Sequence, residues 1–76
     1  MNSEILVRMA NDIANFFSAG NDEATAAREV ANHLTKLWES RMRRQIIECW
    51  RSGGEGLSPI ARAAVALLAE AATYTG

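Results

Sequence analysis

Residues 33–59 read HLTKLWESRMRRQIIECWRSGGEGLSP. This stretch holds two junctions between helices. A helical run closes on Trp38, and Glu39-Ser40 offers a break. A second run carries Arg41, Arg43, Arg44 and Arg51 together with Trp50. Ser52-Gly53-Gly54-Glu55-Gly56 then forms a turn, since glycine adopts positive φ without steric cost. Ser58-Pro59 starts another helix, with serine as N-cap and proline at the first helical position.

Outward from this centre the chain reads as helix throughout. Leu6, Met9, Ile13 and Phe17 recur at helical spacing, with Ala10 and Phe16 widening the stripe. Ser3 is the expected N-cap and Glu4 suits the first turn. Gly20 suits a left-handed stop. Asn21 or Asp22 caps the next helix, whose apolar face is Ala27, Val30, Ala31, Leu34, Leu37 and Trp38. Ser40 can cap a third helix with Met42, Ile46 and Cys49 in line and Ile47 and Trp50 beside them. A single rod through 39–40 is the alternative, and the shift of apolar register favours a bend. The fourth helix carries Ile60, Ala64, Leu67, Leu68 and Ala71, with Arg62 and Glu70 on its wet side. The expected spans are 3–18, 22–38, 41–51 and 59–72, with a turn over 52–57 and fraying from Thr73 to Gly76.

The composition supports one all-α domain over 1–76, a small bundle of about four short helices. Apolar residues make up 49% of the 76, and proline occurs once. Strand-forming β-branched residues are sparse. A chain this short buries only about 60% of its unfolded surface and needs a staple. Cys49 is the single cysteine, so no internal disulfide forms. With His33 the only histidine, a four-ligand zinc site is nearly excluded. Docking on another chain is the staple that remains, and the isolated chain is expected to be marginally stable.

A net charge of −1 argues against a general nucleic-acid binder. The charge is uneven: Lys36, Arg41, Arg43, Arg44 and Arg51 are five of the eight basic residues and cluster centrally. No run of 18 apolar residues spans a membrane, and no signal-peptide pattern opens the chain. With an unpaired cysteine, the expected location is cytoplasmic.

The candidate site is a partner-binding face of Arg41, Arg43, Arg44, Trp50, Arg51, Gly53, Gly54 and Gly56. Arginine forks pair well with carboxylates and are enriched at binding hot spots. The competing reading is a solvated face, in which Glu39 and Arg43 form a weak i,i+4 pair. Trp38 closes a clean stripe and reads as core, whereas Trp50 is the better interface anchor. The turn lacks the lysine and preceding strand of a P-loop. His33 lies on the flank of an apolar face, Cys49 has no activating neighbour, and no catalytic grouping stands out.

Three blocks carry a family resemblance: LVRMANDIANFF, VANHLTKLWESRMRRQI and GGEGLSPIARAAV. In this order they resemble the delta subunit of soluble, NAD-dependent formate dehydrogenases, from about Leu6 to Leu68. The tryptophan followed by an R-M-R unit and then the G-G-x-G-L-S-P turn is the specific combination. Where the family commonly has W-D-P-R-M-R, this chain has Trp38-Glu39-Ser40-Arg41-Met42-Arg43. Without the proline, the sharpness of the bend after Trp38 is left to the structure.

The resemblance implies a non-catalytic accessory subunit that supports assembly or stability of the complex. It implies no cofactor on this chain. The complex would carry a molybdenum or tungsten pterin, iron–sulfur clusters, FMN and NAD. Its partners would be the large catalytic subunit and, through it, the diaphorase-type subunits, with no nucleic acid and no membrane. The alternatives are a transient assembly chaperone and a small nucleic-acid-binding regulator.

Overall fold

The computed structural model describes the backbone of residues 2–75 and the side chains of residues 2–72. Four helices and no strand occur among the described residues: α1 Ser3–Ser18, α2 Glu23–Leu37, α3 Ser40–Arg51 and α4 Pro59–Thr75. The all-α reading holds. The α4 helix passes the expected end at residue 72 because its alanine-rich sequence has high helix propensity and no breaker before Gly76.

Most of the ends follow local capping chemistry. Asn2, not Ser3, caps α1: its side chain accepts the Glu4 N–H at 2.8 Å. Asparagine one position earlier offers the same acceptor. Asp22 caps α2 through the Thr25 N–H at 2.7 Å. Asn21 instead closes α1, donating to the Phe17 carbonyl at 2.9 Å. Ser58 caps α4, its hydroxyl accepting the Ala61 N–H at 3.3 Å, with Pro59 next. Trp38 and Glu39 are both extended, so the chain bends there and α2 and α3 are separate helices. Glu39 stands at the N-cap of α3 without a side-chain cap bond, and Ser40 is the first helical residue rather than the cap.

The core runs through all four helices. Leu6, Val30, Leu34, Ile46 and Val65 are the largest fully buried side chains. Burying each aliphatic side chain of this size stabilises by roughly 1.5–3 kcal/mol. On α1 the deepest positions are Leu6, Ala10 and Ala14. The larger Met9, Ile13 and Phe17 pack half-buried at the margin. Small side chains at the seam let α1 approach its neighbours closely. Trp38 is buried as expected, and Ile46 and Ile47 fill the inner side of α3.

Four large side chains assigned to apolar stripes, or near them, lie open: Phe16 (75% exposed), Leu37 (69%), Ile5 (47%) and Leu67 (38%). Phe16 flanks the buried line of α1 and meets only the edge of the Phe17 ring at 5.2 Å among the ring contacts described. Leu37 ends α2 where the chain turns away. Ala71, expected in the core line of α4, is exposed as well. The cause is the packing order. The α4 helix packs on both α2 and α3, whereas α2 and α3, consecutive in sequence, scarcely touch. The last turn of α2 and the outer side of α4 are left uncovered.

Candidate partner-docking surface

The central arginines separate into three roles. Arg43 folds back, half-buried, and donates to the Thr35 carbonyl at 3.2 Å and to the Trp38 carbonyl. These acceptors lie at the C-terminal end of α2, where the last carbonyls lack intrahelical partners and carry the negative end of the dipole. The guanidinium closes the end of α2 and ties the bend to α3. The expected Glu39–Arg43 pair does not form, because two carbonyls and the Ser40 hydroxyl at 3.4 Å take the guanidinium.

Arg51 pairs with Glu48 at 3.6 Å, both side chains well exposed. An exposed pair of this kind contributes at most about 1 kcal/mol. Arg41 and Arg44 are exposed and make no hydrogen bond or ion pair among the described residues. They occupy the first turns of α3, where the helix dipole disfavours a cation, and the exposed N-cap residue Glu39 shares a surface hollow with them without forming an ion pair. Two guanidinium groups without an ion-pair partner at the positive end of a helix can attract a carboxylate from outside. Trp50 is half-buried against the core.

The glycine-rich turn is built for the fold. The Gly54 N–H bonds the Cys49 carbonyl at 3.0 Å and the Gly53 N–H bonds the Trp50 carbonyl at 3.1 Å, a Schellman closure of α3. Arg62, expected on the wet side of α4, reaches back across the turn. It donates to the Gly53 carbonyl at 2.9 Å and to the Gly54 carbonyl at 2.8 Å. Gly54 is buried, and a Cβ there would stand 2.8 Å from the Arg62 guanidinium. A phosphate cradle needs N–H groups free to point at a ligand. Here those of Gly53 and Gly54 are taken by α3 and their carbonyls face a cation.

Asn11 holds the far side of the turn. Its amide donates to the Gly56 carbonyl at 2.8 Å and its oxygen accepts the Ser58 N–H at 2.9 Å. Neither Asn11 nor Arg62 was singled out from sequence. The signal was a polar residue in line with Val7 and Ala14 on α1, and a cation in the first turns of α4 where the dipole disfavours it.

His33 is half-buried with its ring 5.9 Å from that of Phe17, edge-on. Among the described residues, no group of three or more His, Cys, Asp or Glu could hold a metal ion. Among them too, no helix is long and apolar enough to cross a membrane.

The structure therefore presents Arg41 and Arg44 outward, while Arg43 and the buried Gly54 serve the junctions between helices and the exposed Gly56 is held by Asn11. No curated protein and no solved structure matches the chain. Residues 5–65 match the family model of the NADH-dependent formate dehydrogenase delta subunit, FdsD, and the chain belongs to that family.

Proposed function

We propose that this chain is a non-catalytic accessory subunit of an NAD-dependent formate dehydrogenase that supports assembly or stability of the complex. The family match over residues 5–65 carries this reading. The chain's own chemistry supports it. With one histidine and one cysteine the chain cannot supply the cysteine set of an iron–sulfur cluster, so the molybdenum or tungsten pterin, iron–sulfur clusters and FMN of such an enzyme would reside on other subunits. In this reading the chain acts in the cytoplasm and meets the large catalytic subunit, and through it the diaphorase-type subunits. Its docking side is that of Arg41, Arg44 and Arg51 with the half-buried Trp50. A continuous basic face for nucleic acid is not supported, because Arg43 and Arg62 are turned onto backbone carbonyls.

The test is co-expression of the complex with and without this chain, followed by size exclusion and metal analysis of the catalytic subunit. The expected result is a complex that forms less completely, or loses subunits on heating, without the chain. Unchanged yield, stability and metal content would remove the accessory role. A gain in assembly without lasting association would instead mark a transient chaperone.

A further inference from the structure

Two extended residues, Trp38 and Glu39, turn α3 away from α2, and α4 bridges both. A half-open groove of about 350 Å³ results, with Ile47, Leu68 and Ala71 as its apolar floor and Thr35, Arg43 and Arg44 at its sides. It continues along the α2–α4 seam into a hollow of about 390 Å³ that shares Thr35, Leu68 and Ala71 and ends at Arg28 and Glu29. Leu67, 38% exposed, stands beside this second hollow. The α4 helix carries only Arg62 and Glu70 as charges, and Arg62 is drawn onto the glycine turn. A helix apolar on nearly all sides is normally covered on nearly all sides.

The charges around the groove indicate its occupant. Three arginines, Arg28, Arg43 and Arg44, and one acid, Glu29, line the two hollows, and Glu39 stands beside Arg44 in an adjoining one without pairing to it. Arg44 has no partner among the described residues, while Arg43 is committed to α2 carbonyls. The walls are helices whose backbone groups are paired internally, so no open edge could receive a strand. From Arg28 to Thr35 the groove runs about 10 Å along α2, which matches roughly two turns of a docked helix. Resting on the accessory-subunit reading, we propose that this groove receives an apolar helix of another formate dehydrogenase subunit. That helix carries a carboxylate about one turn from its apolar anchor, and the carboxylate pairs with Arg44. Arg44 sets the register and the apolar floor supplies the burial.

The experiment uses the purified complex containing this chain. A benzoylphenylalanine photo-crosslinker is placed at position 67 and the cross-linked peptide is identified by mass spectrometry. In parallel, Arg44→Glu is tested for retention by size exclusion, after circular dichroism shows unchanged helicity. The expected cross-link falls on a segment of another subunit with apolar residues at helical spacing and an Asp or Glu within one turn. Arg44→Glu lowers retention at least about tenfold, and changing that acid to arginine restores it. Cross-linking to a second copy of this chain, or to a segment without an acid, would overturn the proposal. So would unchanged retention of Arg44→Glu. If the unaltered chain itself leaves the complex during size exclusion, the accessory-subunit reading fails and the groove proposal with it. If it stays while Arg44→Glu is neutral, only the groove proposal fails.

Discussion

Arg43 and Arg62 occupy the same position in their helices, four residues past the N-cap, and each reaches back to backbone carbonyls of the junction before its own helix. Each junction thereby gives a cation disfavoured at a helix start backbone acceptors: the end of α2 for Arg43, and for Arg62 the glycine turn, where the Gly54 carbonyl also accepts the Leu57 N–H at 3.1 Å. Arg62→Met keeps the stem and removes the donors. It should lower stability by about 1–2 kcal/mol, and Arg62→Lys should recover part of the loss. Urea titration with an unchanged slope is the check. No difference between Met and Arg would show that water satisfies these carbonyls equally well.

Asn11 fixes the turn from the opposite side through one donated and one accepted bond. Asn11→Ala should cost about 1–3 kcal/mol, since it strands the partly buried Ser58 N–H. Asn11→Asp keeps the acceptor but loses the donor to Gly56, so it should cost less than alanine. An aspartate variant less stable than the alanine variant in urea would refute this division of roles.

Two glycines with positive φ should respond differently to alanine. Gly20, at φ +80°, has nothing within 4 Å of an added Cβ, so only backbone strain of about 1–2 kcal/mol is expected. Gly54, at φ +63°, adds a 2.8 Å approach to the Arg62 guanidinium, whose bonds to the turn would be displaced. Thermal melts should show Gly54→Ala clearly less stable than Gly20→Ala. Equal melting temperatures would mean that Arg62 moves aside freely.

Asp22 gives the fold an acid-sensitive cap. Its carboxyl titrates below the ordinary value of 3.8, chiefly because the carboxylate accepts the Thr25 N–H. The Thr25 hydroxyl and the charge of Arg28 act in the same direction. The folded chain holds this proton less tightly than the unfolded chain. The contribution is therefore present above the unfolded value and is lost as pH falls through the lowered folded value. Asp22→Asn keeps an acceptor and removes this step. Circular dichroism between about pH 5 and pH 2 should show a shallower loss of helix in the variant. Parallel acid curves would contradict it.

Arg41 and Arg44 separate folding from docking. Both are exposed and without a partner among the described residues, so the double change to alanine should alter stability by no more than about 0.5 kcal/mol. Retention in the complex should nonetheless fall. A variant that folds and is retained like the parent would return these arginines to a solvated face.

The helices, the bend and the caps at Asp22 and Ser58 were legible because each rests on local chemistry: apolar spacing, a cap oxygen, a proline at the first position. Trp38 was legible as core because it closes one stripe. What could not be read was which arginine goes where. Arg41, Arg43, Arg44 and Arg62 are alike in sequence, and only the bend brings Arg43 under the α2 carbonyls and the turn brings Arg62 over Gly53 and Gly54. Likewise the periodicity placed Leu37, Leu67 and Ala71 on apolar stripes. Whether a stripe is covered depends on how α2 and α3 diverge, a tertiary fact with no local signature.

In the proposed function this chain is a lasting component of a formate dehydrogenase complex. Native mass spectrometry of the complex, purified through a tag on the catalytic subunit and passed through size exclusion at moderate salt, tests it most directly. The expected result is this chain in fixed stoichiometry with the catalytic subunit. A fully assembled, active complex whose mass leaves no room for the chain, although the chain was co-expressed, would contradict it.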